Sequence, residues 1–107
     1  MTRVGDDRIF TCVARVWLWR SAAKPDAAGW YFATIDPQTA AEIKYAVLGM
    51  SRAFGSVKVS AQIGETRWQT SLFPHRETGG YLLPLKASVR ATEALKVDDA
   101  VAVTLVV

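Results

Sequence analysis

The sequence predicts a mainly β domain, a small barrel of six or seven strands with two helices. Three observations predict it. Apolar and polar residues alternate with period two over several stretches, which marks strands with one face buried. Proline twice stands where a strand gives way to a helical stretch, at Pro37 and at Pro84. The 107 residues, 50% of them hydrophobic, make one domain over 1–107 that buries a core without staples.

Residues 1–8 are polar and charged and read as a frayed N-terminal segment. From Ile9 to Trp19 one face carries Phe10, Cys12, Ala14, Val16 and Leu18. The other carries Thr11, Val13, Arg15, Trp17 and Trp19, so this is a long strand. Ser21–Gly29 is small and polar, contains Pro25, and reads as a hairpin loop. Trp30–Ile35 is aromatic-rich and suits a pleated surface. Asp36-Pro37 opens a helix: the carboxylate accepts from orphan amide N–H groups, and proline at the first helical position loses no bond. Ala40, Ile43, Val47 and Met50 follow at helical spacing, and the helix ends near Gly49, before Gly55.

Ser56–Ile63 alternates cleanly, with Val57, Val59, Ala61 and Ile63 inward. Gly64-Glu65 is a tight turn, and Thr66–Phe73 pairs back as the next strand. Pro74–Gly80 is the most loop-like stretch of the chain. Tyr81–Leu83 is a short strand stopped by Pro84, and a short helix covers Lys86–Leu95 with Ala87, Val89 and Ala91 on its buried side. Val97-Asp98-Asp99 turns, and Ala100–Val107 closes the chain as an apolar strand. Ala33–Ile63 and Tyr81–Val106 share the order strand, proline, helix, turn, strand. Identity between the two is low, but the order suggests an internal pseudo-twofold repeat whose helices cap the ends of the barrel.

Leu83-Pro84, Val89-Arg90 and Leu95, then Asp99 followed by Val101, Val103 and Leu105, resemble the swapped-hairpin half of AbrB- and MazE-type domains. That pattern usually has glycine before the Asp for a left-handed turn; Asp98 stands there, and Asp tolerates the conformation better than most residues. Nearly all of residues 9–107 is similar to a narrower family, the bacterial domain of unknown function 1905. The likeness is carried by GWYFATID (29–36), GSVKVSAQIG (55–64), RWQTSLFP (67–74), GYLLPLKASVR (80–90) and DDAVAVTL (98–105). The resemblance implies a double-split β-barrel related to the AbrB fold. It implies no activity, cofactor or catalytic residue. If the repeat lets one chain supply what two AbrB-type chains supply, a monomer is favoured over a dimer formed through Ala100–Val107.

Composition narrows the function classes. Four Trp, three Tyr and four Phe exclude intrinsic disorder, and the single Cys12 excludes a disulfide framework. The formal charge is +3, from 13 Lys and Arg against 10 Asp and Glu, and the basic residues are scattered from Arg3 to Lys96. No apolar stretch approaches the roughly 20 residues of a membrane span. The charged start lacks the apolar run of a signal peptide, and a lone cysteine fits a reducing compartment, so the chain reads as cytoplasmic and off the membrane.

Candidate chemistry is sparse. His75 is the only histidine, beside Arg76 and Glu77, and reads as a surface-loop residue without the partners a base or a metal site needs. Ser71 and Thr70 read as ordinary strand residues, since no adjacent base is visible. Cys12 shares its face with Phe10, Val16 and Leu18 and reads as a small buried hydrophobe. Gly79-Gly80 lacks the Lys-Ser or Lys-Thr of a phosphate loop, and Asp98-Asp99 reads as a turn. No cofactor and no metal are expected.

The aromatic and basic residues on strand faces stand out. Trp17, Trp19, Trp30 and Trp68 are more than a small barrel holds comfortably, although large side chains plugging its ends would account for some. The candidate ligand or partner surface is Arg15, Trp17, Trp19, Lys58, Arg67, Trp68, His75, Arg76 and Arg90. Arg90 has a plainer reading, its stem packed on the barrel and its head on local carbonyls. Aromatic-and-arginine surfaces serve protein interfaces and stacking platforms for single strands alike.

Three readings follow. The leading one is a non-enzymatic binding module for a protein or small molecule, which requires the widest groove to be lined by tryptophans without converging titratable groups. The second is an AbrB-like nucleic-acid-binding or antitoxin-like protein, which requires Arg15, Lys58, Arg67, Arg76 and Arg90 to form one contiguous phosphate-binding face. The third is a small enzyme without a recognisable motif, which requires His75 or a carboxylate pair inside a cleft.

Overall fold

The computed structural model describes residues 8–24, 26–49 and 55–107. Residues 1–7 of the expected frayed segment, Pro25 of the first loop and Met50 of the helical stripe lie outside the described residues. Six strands and two helices follow in the order β1 (Ile9–Trp19), β2 (Trp30–Ile35), α1 (Pro37–Ala46), β3 (Val57–Ile63), β4 (Thr66–His75), β5 (Gly80–Pro84), α2 (Ala87–Thr92) and β6 (Ala100–Val106). The strands close into an antiparallel barrel in the order β1-β2-β5-β4-β3-β6.

The expected internal repeat is present in this topology. Exchanging β1, β2 and β3 with β4, β5 and β6 leaves the circuit of pairings unchanged: β1–β2 becomes β4–β5, β1–β6 becomes β4–β3, and the β2–β5 and β3–β6 pairs map onto themselves. The two long strands each change partner part-way. Ile9–Arg15 pair with β6 and Val16–Trp19 with β2, while Thr66–Leu72 pair with β3 and Phe73–His75 with β5.

Alternation places the core as expected. Val57, Val59, Ala61 and Ile63 of β3 are all buried, as are Val16, Ile35, Leu72, Leu83, Val103 and Leu105 from the other strands. Trp68 points inward too, at 7% exposure, where it sits opposite the small side chain of Ala61. α1 lays Ala40, Ile43 and Val47 against the barrel, where the helix meets β5 and β1. Its first turn is held by Asp36, whose Oδ2 accepts from the Thr39 backbone N–H at 3.0 Å and whose Oδ1 accepts from the Thr39 hydroxyl at 2.7 Å.

The end of β4, the end of α2 and the buried side of α2 differ from the sequence reading, each for a local reason. Pro74 does not end β4: it pairs opposite Tyr81, and the ladder continues to His75 opposite Gly80. Glycine is required at that rung, since a Cβ on Gly80 would collide with the Ile35 carbonyl oxygen. The second helix stops at Thr92 rather than Leu95. Ala94 takes a left-handed φ of +53°, and the Leu95 N–H donates back to the Arg90 carbonyl at 2.9 Å, closing the helix by a Schellman-type bond without glycine. Only Val89 of the expected buried side is buried; Ala87 and Ala91 are exposed, because a spacing of two winds around a helix rather than along one face.

Two turns tie the halves together. Gly64 has φ of +58° in the two-residue β3–β4 turn, and the Glu93 carboxylate lies against it while accepting from the Thr66 hydroxyl at 2.6 Å. Asp98 takes φ of +76°, the left-handed conformation expected where glycine is usual. Its N–H donates to the Val16 carbonyl at 2.8 Å, and the Val16 N–H donates to the Asp99 carbonyl at 2.9 Å.

Substituting Asp36→Ala removes both acceptors at the start of α1 and is expected to lower the unfolding free energy by about 1 kcal/mol, read as a shift of the urea midpoint at constant slope. The hydrogen bond from the Thr39 backbone is the main cause that holds the Asp36 carboxyl below its ordinary value. The stabilisation is therefore present above the ordinary carboxylate range and is lost as pH falls through the depressed value, so the gap between the two proteins should narrow in acid.

Candidate functional site

The residues with most to offer a partner gather on the outer face of β1, β2 and β5. Register sets Trp17 opposite Phe32 and Trp19 opposite Trp30, so four aromatic rings line up as two rungs of one hairpin. Leu82 of β5 extends this face, and the end of β4 with the loop after it closes the side. Together Trp17, Trp19, Trp30, Phe32, Leu82, His75 and Glu77 line a cavity of about 410 Å³. Trp19 is 47% and Trp30 60% exposed, so the groove is open along its hairpin side.

The inner wall is locked. The Trp17 indole N–H donates to the Thr34 hydroxyl at 2.8 Å. The Phe32 ring tilts at 40° to the Trp17 ring at 5.5 Å between centroids, and the His75 ring stacks on it at 6.0 Å and 29°. His75 is thus not the solvent-facing loop residue expected from the sequence. It is the last residue of β4 with a side chain 16% exposed, because the ladder runs past Pro74 and alternation keeps His75 on the outward face with Phe73.

Both ring nitrogens of His75 are engaged. The Thr78 hydroxyl oxygen accepts from the Gly80 N–H at 3.2 Å and lies 3.0 Å from His75 Nδ1; His75 Nε2 lies 3.2 Å from a Glu77 carboxylate oxygen. Nε2–H donates to the Glu77 carboxylate, and Nδ1 shares a hydrogen bond with the Thr78 hydroxyl. The leading reading required a tryptophan-lined groove free of titratable groups; the groove is tryptophan-lined, but His75 and Glu77 belong to it.

The remaining candidates lie elsewhere. Trp68 is inside the barrel, where it borders a second, smaller cavity of about 210 Å³ that also touches Trp30, Tyr31, Lys86 and Arg90. The Arg90 guanidinium lies 3.9 Å over the Tyr31 ring and its Nε donates to the Leu85 carbonyl at 3.0 Å, the local packing role open to it from sequence. Arg15 donates to the Asp98 carbonyl at 3.0 Å, and Arg67 to the Gln62 side-chain oxygen at 3.2 Å. Lys58 and Arg76 are exposed, on β3 and in the β4–β5 loop. The five basic candidates sit on five different segments, and neither cavity is lined by more than one of them. Among the described residues no group of three or more metal-ligating side chains comes together, and no helix is long and apolar enough to cross a membrane.

Sequence reasoning picked out Trp17, Trp19 and His75 but left Trp30, Phe32, Leu82 and Glu77 out of the candidate surface. Trp30 and Phe32 alternate on one face of β2, a signal that was present. What was missing is the register that sets them against Trp19 and Trp17.

Cys12 behaves as a packing residue. Burial, and secondarily the Asp36 charge, push its thiol up to about 11. A two-unit rise above the ordinary value of 9.0 cuts the thiolate fraction at mildly alkaline pH by roughly 100-fold, and alkylation by iodoacetamide should slow by about that factor relative to the unfolded chain. Equal rates in the two states would show that the thiol is accessible and ordinary.

Fold and groove together define a small closed antiparallel barrel whose aromatic groove lies outside the sheet. The chain belongs to the family described as domain of unknown function (DUF1905), whose profile matches residues 13–105 and so takes in part or all of every strand and both helices. No curated protein and no solved structure matches the chain.

Proposed function

We propose that this domain is a binding module that holds a small ligand with an apolar body in the tryptophan groove. The observation that carries the reading is the gathering of three indoles, Phe32 and Leu82 around one cavity on a hydrogen-bonded hairpin. Exposed aromatic surface of this kind is costly in water and marks a site of contact. The cavity's size of about 410 Å³ falls within the range of about 300–1,000 Å³ usual for small-molecule sites. His75 and Glu77 line the groove as well, but both are tied within their own loop, and the His75 ring stacks on Trp17 as part of the groove wall.

The four indole N–H resonances offer a direct test. On titration with p-cresol or with dimethylbutanol, the signals of Trp19 and Trp30 should shift saturably while that of Trp68 stays. Trp30→Ala should weaken binding by about tenfold, the loss of roughly 1.4 kcal/mol of contact. Absence of saturable shifts at Trp19 and Trp30, or shifts confined to Trp68, would overturn the reading.

A further inference from the structure

We infer that the natural ligand of the groove is a weakly hydrated cation, an ammonium carrying several alkyl groups such as a quaternary or methylated amine. This deepens the binding reading above and rests on it. Two features of the lining point the same way.

The first is what the rings present. Aromatic faces carry the negative side of the ring quadrupole, and a cation within about 6 Å of a ring centroid is attracted to it. Trp17 has committed its only donor to Thr34, and the His75 donor is turned to Glu77, so the locked wall offers an incoming molecule ring surface rather than N–H groups. Beside it, Trp19 and Trp30 are the partly exposed indoles of the next rung.

The second is charge. Among the described lining residues Glu77 is the only acidic one, its carboxylate 89% exposed and held through one oxygen by His75 Nε2. The chain as a whole carries +3, yet among the described residues no lysine or arginine lines this cavity. An anion entering the groove would face the Glu77 carboxylate, whereas a cation completes an arrangement of π faces and one negative group.

The size of the cation follows from what must be desolvated. A primary ammonium is compact, strongly hydrated and needs several acceptors, and among the described lining residues Glu77 alone supplies a carboxylate. An alkylated ammonium spreads its charge over methyl groups, sheds water readily, and fills more of the 410 Å³ against the rings.

Choline and dimethylbutanol make the decisive comparison, because they share shape and differ in charge, nitrogen in one being carbon in the other. Binding of each is read from the Trp19 and Trp30 indole N–H shifts in the wild-type domain and in Glu77→Gln. Choline should bind about tenfold more tightly than dimethylbutanol. Glu77→Gln should lower the ratio of choline to dimethylbutanol affinity by roughly threefold or more, as expected for loss of a partly screened charge contact, and saturable dimethylbutanol shifts in the variant report that the groove persists. Equal affinity for the two probes, or no effect of Glu77→Gln on that ratio, would overturn the cation inference while leaving an apolar binding groove in place. Failure of both probes to move Trp19 and Trp30 would overturn the binding reading itself.

Discussion

Closure of the sheet decides where the large side chains of this protein go. Six strands in a ring enclose a narrow interior, and the inward rungs are filled mostly by branched aliphatic residues, with Ala14, Ala33 and Ala61 among them and one buried tyrosine, Tyr81. One tryptophan is admitted, Trp68, and it enters opposite Ala61. The other three are sent outward by the alternation of β1 and β2. α1 covers β5 and the barrel near β1, and the Trp17–Phe32 and Trp19–Trp30 rungs remain on the open outer face. The groove is therefore a by-product of the same pleat that builds the core: fixing Val16 and Ala33 inside fixes Trp17 and Phe32 outside.

Rigid rungs alone would give a flat aromatic patch. Depth comes from the β4–β5 connection, which brings His75 and Glu77 beside the rings. That connection is held by short-range bonds: the Gly79 N–H donates to the His75 carbonyl at 2.9 Å, and the Thr78 hydroxyl bridges the Gly80 N–H and the His75 ring. Gly80 allows the loop to meet the sheet because no Cβ stands between it and the Ile35 carbonyl. A loop with these ties positions a stacking ring and a carboxylate without a second layer of structure behind them.

Much of the architecture was legible because period two is a strong signal when one face is buried. β1 and β2 begin and end where alternation and aromatic content place them, the Asp36-Pro37 start of α1 is a chemical signature, and Asp98 adopts the backbone conformation expected in a glycine's place. What escaped depended on contacts between segments. Pro74 looks like a stop until Tyr81 is known to lie opposite it. The end of α2 is made by an alanine in a left-handed conformation, for which no residue type gives warning. Trp17 and Trp19 could be put on one face from sequence, but the groove needs their pairing with Phe32 and Trp30, and the loop over residues 20–29 is too long to dictate that register. Glu77 joins the site through the fold of its loop, which a triplet of polar letters does not encode.

The topology also orders events in time. β6 is the strand that seals two seams, lying against Ile9–Arg15 on one side and Ser60–Gln62 on the other. A chain emerging from the ribosome carries β1 first and β6 last among these strands. The backbone groups of Ile9–Arg15 that face β6 therefore wait without their ladder partner while the strands in between are made. An unpaired edge of that kind is the part of a β protein most ready to join a stranger. For this barrel, the interval before Ala100–Val106 takes its place is the stage at which the β1 edge stands open.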